Sequence, residues 1–586
     1  MNIYLKVFSI LEIKTKFKIL ILCLLSIFAA ILETLSIGLI VPFVNSLVNY
    51  DQFIKFEFVK KVSLIFDLNS QENLVIFSTI FLLLVYLIKN IYLFIFIILQ
   101  NRFSFALNLE MSTSLFFLYL KKDYTYHLKN SSSELIRNIT GETSRTVQLI
   151  NAILNLFVEV LIFIFIISLI IFFNSILATT VIVIIGLASL ICFFLTKKAI
   201  NHLGNNRTKY SSEVLKSLIQ GLSSIKETLL SWNQDKISQE FNRNQKILLS
   251  TSKKISIFQS MPRPFLEVLA LSGLVLFVNY MILSKEPLTN ILPTAALFFA
   301  AAFRLMPGVN KILFSIQEIK YTSPAFFNLL NDLKTIEKNK SYKLEVNLEN
   351  QNKNWSVISH NSLIEIKNLN FNYENSAKLI LKDINFKFSA GEMIGIIGES
   401  GSGKTTLVNL LLGLLKPTKG GIFIDNTNIE IILERWQMSL GYVPQSVFLL
   451  DDTIKKNIIF FTKNLPTNDT EFEKRLNNSI KESQLIEFVN SLDKKLDTIV
   501  GENGARISGG QKQRLGIART LFGGANLLVF DEATSSLDEK TENRFIEVIK
   551  KLKRKKTLVI ISHKKNTVQH CDKIIEIKDG KIYESK

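Results

Sequence analysis

The sequence predicts two halves of different class, an α-helical half that spans a membrane and an α/β half built on a phosphate-binding loop. Three observations carry this. Long apolar runs recur before residue 330, where most of the 45 phenylalanines also fall. Gly398-Glu399-Ser400-Gly401-Ser402-Gly403-Lys404-Thr405 fits GxxxxGK[ST] at every fixed position, directly after the apolar run Met393 to Ile397. From Leu363 onward the pattern becomes short strands and helices around that loop. At 586 residues the chain exceeds one ordinary core, and we read a membrane domain over 1–330, a polar linker over 331–360 and a nucleotide-binding domain over 361–586.

Composition agrees with this division. Hydrophobic residues make up 48% of the chain and mean hydropathy is +0.27. The net charge of +19 is spread through the loops between apolar runs and along the second half, as a positive-inside membrane bias requires. We therefore expect no nucleic-acid partner. Cys23, Cys192 and Cys571 are scattered without a CxxC spacing, which supports neither a disulfide framework nor a zinc site.

The first apolar stretch, Phe17 to about Val48, is too long for a signal peptide and has five similar successors: roughly Leu74 to Gln100, Leu149 to Phe173, Leu177 to Leu195, Phe265 to Leu283 and Ile291 to Ile316. Each is near or above the roughly 20 residues that cross a bilayer. The long loops after the second and fourth runs are strongly basic and those after the third and fifth are short. This places both termini and the nucleotide-binding domain on the cytoplasmic side of the membrane. The loop Tyr50 to Asn73 interleaves apolar and charged residues and reads either as an amphipathic helix on the outer face or as a connector packed on the spans.

The motifs of the second half carry phosphate chemistry. Backbone N–H groups of the glycine loop close around phosphate oxygens, Lys404 reaches the β- and γ-phosphates, and the Thr405 hydroxyl is offered to Mg²⁺. Gly398, Ser400, Gly401, Gly403 and Thr406 complete the candidate ATP-binding set on this loop. Further on, the buried run Leu527-Leu528-Val529-Phe530 ends in Asp531 and Glu532, placed to hold Mg²⁺ and to polarise the attacking water.

Ile507-Ser508-Gly509-Gly510-Gln511-Lys512-Gln513-Arg514 resembles the LSGGQ signature of ATP-binding cassette (ABC) transporters, and other elements follow in the family's order. Tyr373 resembles the aromatic that stacks on adenine, Gln445 the Q-loop glutamine, Ser535-Ser536-Leu537-Asp538 the D-loop and His563 the switch histidine. The resemblance implies a Mg²⁺ contact for Gln445 and a γ-phosphate contact for His563. It also implies that Ser508, Gly509 and Gly510 bind phosphate in the ATP site of a second cassette, and that Asp538 of the D-loop is a nucleotide-binding residue. One cassette with six spans is half a transporter, completed by a second copy or a related chain. Ile507 replaces the usual leucine and Lys564 the arginine common after the switch histidine, which puts only a peripheral contact in doubt. Thr498 to Gly504 resembles the TxVGExG segment of exporters, whose expected partners are short helices near Thr125 to Leu135 and Ile225 to Gln234.

Glu33 to Phe43 and Phe303 to Ile312 look like the first and sixth spans of the bacterial lipid-linked oligosaccharide flippase of protein N-glycosylation and its relatives. That resemblance implies a polyprenyl-diphosphate glycan as cargo. Lys89, Arg263 and Arg304, at or near membrane depth on three spans, are the expected contacts to its head group, against the alternative that they pair with Glu33, Glu159 or Glu267. An exporter of peptides or hydrophobic drugs remains open, and the spans argue against a soluble cassette ATPase.

Overall fold

The computed structural model describes residues 3–48, 59–60, 63–64, 70–173, 175–283, 288–338, 357–373, 378–462, 465–466, 468–534 and 539–584. Two compact units emerge, Met1–Lys122 with His127–Glu345, and Val346–Lys586 with Asp123–Tyr126.

The chain before residue 345 is helical: α1 Ile3–Ile10, α2 Ile13–Gly38, α3 Ile40–Val48, α4 Gln71–Lys121, α5 Tyr124–Lys129, α6 Ser132–Arg137, α7 Thr143–Phe173, α8 Ser175–Ser223, α9 Ile225–Leu230, α10 Gln234–Ser260, α11 Pro262–Leu283 and α12 Leu288–Lys338. Among the described residues, Ile13–Val48, Gln71–Lys121 and Ser132–Phe172 are long and apolar enough to cross a membrane. The other three expected spans fall within α8, α11 and α12.

Hydropathy marks where a bilayer ends, and helices continue beyond it. At about 1.5 Å per residue, the 51 residues of α4 extend roughly 76 Å, far more than the roughly 30 Å hydrocarbon core. The basic segments read as loops are therefore largely helix, including the tail of α8 and the polar α10. The first span is broken instead of continuous. Pro42 has no N–H to give to the Gly38 carbonyl and its ring crowds that group, so α2 ends at Gly38 and α3 begins at Ile40. Short helices α5, α6 and α9 stand where the exporter resemblance expects them. The candidate outer-face helix in Tyr50 to Asn73 lies largely outside the described residues.

α2, α3, α7 and α12 share one core of Ala30, Ile37, Val41, Ile162, Ile166, Ile170 and Leu305. Ala29 and Ala30 are fully buried, and their small size lets neighbouring backbones approach. Apolar side chains such as Leu83, Phe94 and Phe172 point outward, the distribution a helix takes when its solvent is lipid.

The second unit holds two sheets. β1 Leu363–Phe371, β2 Leu381–Ser389, β4 Lys419–Ile424 and β5 Thr427–Asn428 form an antiparallel sheet in the order β2-β1-β4-β5. β3 Met393–Gly398, β6 Leu440–Val443, β7 Leu527–Asp531, β8 Thr557–Ile561, β9 Lys573–Lys578 and β10 Lys581–Glu584 form the other, ordered β10-β9-β3-β8-β7-β6 and parallel except for β10. Every residue of β7 and β8 is buried because the mixed sheet is covered on both faces. Leu528, Phe530, Leu558 and Ile560 point into one core, Leu527, Val529, Val559 and Ile561 into the other. Period-two alternation thus anchors the register that sets where each strand stops.

Candidate nucleotide site and membrane ion pairs

In open α/β sheets ligands gather beyond the carboxyl ends of the strands. Here Ile396, Asp531 and Ile561 lie level across β3, β7 and β8, and Val443 pairs with Phe530 on β6. Gly398, Glu532, His563 and Gln445 each follow within two residues of those positions, so four distant segments reach one edge.

Sterics explain the glycine loop. Gly398 has φ +150°, and a Cβ there would stand 2.5 Å from the Ile577 carbonyl oxygen. Gly403, at φ +107°, opens helix α13 Lys404–Leu411, and its Cβ would meet Leu381 at 2.9 Å. The Lys404 ammonium donates to the Gly398 and Glu399 carbonyls, both at 2.8 Å. Burial holds its pKa below the usual lysine range, opposed by the nearby Glu532 and Asp531. Ser402 Oγ is buried without a hydrogen-bond partner, which suits a donor intended for a phosphate oxygen. Thr405 is exposed. Thr406 lies on the first turn of α13, its hydroxyl 3.3 Å from that of Tyr373. The Tyr373 ring packs edge-on to Phe371 and is partly exposed.

Glu532 is the hub of the opposite wall. Its backbone sits at φ +49°, a conformation costing a non-glycine residue on the order of 1–3 kcal/mol. Gln445 Nε2 donates to its Oε2 at 3.0 Å and His563 Nε2 lies 3.1 Å from its Oε1. Asp531 is buried beside it, and desolvation raises its pKa above the ordinary carboxylate value. Tyr442 donates to Asp531 Oδ2 at 3.1 Å. Desolvation of its part-buried hydroxyl, with Asp531 close by, raises the pKa of this phenol.

The structure therefore brings Lys404, Gln445, Asp531, Glu532 and His563 together, with Tyr373 beside the loop helix through Thr406. Ser508 and Gly509 are exposed at the N-terminus of helix α14 Gly509–Phe522, where Ser508 caps the helix with Gln511 in a reciprocal capping box. Gly510 is buried in the first turn. Asp538 and the rest of Ser535 to Asp538 lie outside the described residues. Lys564 binds the buried Glu542 at 2.7 Å and the Thr534 carbonyl at 3.0 Å, so lysine serves this position as a local tie. Tyr442 and Gln513 were not found by sequence reasoning. Gln513 is buried and donates to the Gln445 carbonyl at 2.8 Å, an anchor for the Q-loop backbone.

The membrane cations require a correction. Arg304 donates to Glu33 at 2.6 Å and to Glu159 at 3.4 Å, and Lys89 lies 3.6 Å from Glu33. Lys311 binds Glu159 at 2.9 Å with most of its side chain exposed. Arg263, itself exposed, pairs one helical turn on with Glu267 at 3.0 Å. The expected cations are thus each paired with a carboxylate of the same chain. Two carboxylates buried among apolar helices demand counter-ions, and the nearest cations satisfy them before any ligand does. Three cations face two carboxylates in the cluster of Lys89, Arg304, Lys311, Glu33 and Glu159, which leaves one positive charge in excess.

Glu33→Ala strands Lys89 and one edge of Arg304, and we expect a loss of about 3–5 kcal/mol, read as a lowered Tm in detergent. Adding Lys89→Met should recover part of it. Strict additivity of the two substitutions would show that the pair is not coupled.

A family model described as ABC transporter matches residues 381–535. The chain is 27% identical to the ATP-dependent lipid A-core flippase of Photobacterium profundum, over 81% of this chain and 79% of that protein. It is 30% identical to the protein of the same name from Vibrio parahaemolyticus, over 66% and 64% respectively. The structure of a bacterial Atm1-family ABC exporter with ATP bound superposes with a TM-score of 0.76 at 19% identity, covering 97% of this chain and 95% of that one. The fold, the cassette and relatives whose likeness reaches into the membrane half agree: this is a membrane-spanning half-transporter of exporter type that carries an ABC transporter ATPase domain and couples ATP hydrolysis to transport.

Proposed function

We propose that this exporter is a lipid flippase of the bacterial cytoplasmic membrane, working as a pair of half-transporters and most economically as a homodimer, with both termini and the cassettes in the cytoplasm. The observation that carries the cargo reading is the likeness to lipid A-core flippases, which extends over 79% of the Photobacterium protein and so reaches well beyond a cassette alone. Within the class, the polyprenyl-diphosphate oligosaccharide remains our specific candidate. Its support is the sequence of the first and last spans and the single excess positive charge of the intramembrane cluster, which suits an anionic head group. The pairing of Lys89, Arg263 and Arg304 removes the stronger form of that argument, a lining of free cations.

In the cassette, the glycine loop with Lys404 and Thr406 binds the phosphates and Tyr373 stacks on the base. The orphaned Ser402 hydroxyl supports this reading. Thr405, Gln445 and Asp531 form an all-oxygen donor set that fits Mg²⁺. When bound, that ion neutralises charge on the phosphate oxygens. Glu532 accepts the proton of the attacking water, and Gln445 and His563, already on its two oxygens, orient it. Ser508, Gly509, Gly510 and Asp538 serve the ATP held by the partner copy.

Glu532→Gln should retain ATP binding while hydrolysis falls by about 10²-fold or more, whereas Lys404→Ala should lose affinity. Near-normal turnover in Glu532→Gln would mean that the base is misassigned. Cargo is tested in proteoliposomes offered polyprenyl-diphosphate oligosaccharide, lipid A-core, peptides or dyes, with ATPase stimulation and ATP-dependent leaflet transfer as readouts. The reading predicts that a lipid with a large polar head is moved. Transfer of peptides or dyes alone would leave the peptide or drug exporter in its place.

A further inference from the structure

Tyr442 occupies an unusual place beside the nucleotide site. It lies on β6, the edge strand of the mixed sheet, and pairs in register with Val529 of β7, two residues before Asp531. Burial alternates along β6, with Gly441 and Val443 buried and Tyr442 exposed, so its ring stands on the opposite face of the strand from Val443. The hydroxyl reaches Asp531 Oδ2 at 3.1 Å. Asp531 is 8% exposed, with little water available to orient its carboxylate. The phenol engages one oxygen and leaves Oδ1 to accept from elsewhere. A carboxylate that meets a metal ion, directly or through a water, must present a fixed oxygen, and groups hydrogen-bonded behind such a ligand commonly set its orientation.

We propose that Tyr442 is a positioning residue that fixes the Asp531 carboxylate for Mg²⁺, so that the metal affinity of the ATP-bound cassette depends on one phenolic hydrogen bond from the edge strand. The inference rests on the assignment of Asp531 to the metal made above. Tyr442 also sits three residues before Gln445, whose side chain reaches Glu532. One short segment therefore holds both consecutive carboxylates, Asp531 through the phenol and Glu532 through the amide. Movement of that segment would alter metal binding and water activation together.

The test uses the full-length protein in detergent, in a Glu532→Gln background that retains ATP, with Mn²⁺ binding followed by electron paramagnetic resonance. Tyr442→Phe keeps the ring and removes the O–H. We expect its Mn²⁺ Kd to rise roughly tenfold, the scale of a lost hydrogen bond to a charged group, while ATP affinity at saturating metal changes less than about twofold. In the hydrolytically intact chain, the free Mg²⁺ needed for half-maximal turnover should rise in parallel, with KM for MgATP at saturating Mg²⁺ preserved. A purely structural role would instead lower Tm and reduce turnover equally at all metal concentrations, and that result, or an unchanged Mn²⁺ Kd, overturns the proposal. Asp531→Asn separates the two levels. If it leaves Mn²⁺ affinity intact, the metal assignment itself fails. If it weakens Mn²⁺ binding and Tyr442→Phe does not, only the role of Tyr442 falls.

Discussion

Five parallel strands in the order β9-β3-β8-β7-β6 impose the constraint on which the cassette depends. Their side chains alternate between two apolar cores, so a slip of one residue on any strand would turn buried side chains toward the wrong core. With register pinned, the four segments that leave β3, β6, β7 and β8 must emerge at one edge. Loop, Q-loop glutamine, carboxylate pair and histidine meet there although the chain separates Gly398 from His563 by a whole domain. The left-handed backbone at Glu532 is a cost borne at that edge, and it turns the side chain between Gln445 and His563.

A different constraint governs the membrane half. Helices immersed in lipid gain little from burying apolar groups against one another, so close packing through small residues and internal pairing of charges hold them together. Arg304 on α12 bridges Glu33 on α2 and Glu159 on α7, the same helices that share the Ala30–Ile166–Leu305 core. Ion pair and packing thus fasten one bundle. Charges that look available for a substrate in the sequence are committed to the fold, and within that cluster only Lys311 keeps most of its side chain exposed.

The glycine loop and the carboxylate pair are plain in the sequence because their pattern is local: Gly398 and Gly403 take left-handed backbone angles inside one short motif, and Asp531 and Glu532 end a uniformly apolar strand. Tyr442 was invisible because its role depends on which strand lies beside β7, a fact of topology and not of spacing. The pairing of Arg304 with Glu33 joins residues 271 positions apart, and nothing in either segment selects the partner. Helix lengths were under-read because apolar periodicity stops at the bilayer while backbone hydrogen bonding does not. The break at Gly38 was legible in principle, from Pro42.

Ser508 gives the account its most exposed claim. Its side chain is spent on capping α14, and its helix N-terminus, with N–H groups that suit a phosphate, stands exposed. The central claim is that this terminus serves a second copy. Mixed dimers decide it by ATPase activity. With Lys404→Ala and Ser508→Arg on the same chain beside an unaltered partner, neither site should be intact and turnover should vanish. With the two substitutions on opposite chains, one intact site should remain and turnover should persist at about half or less of the unaltered rate. The reverse pattern, activity with both changes on one chain and none with them apart, would contradict the account and place each signature in the site of its own chain.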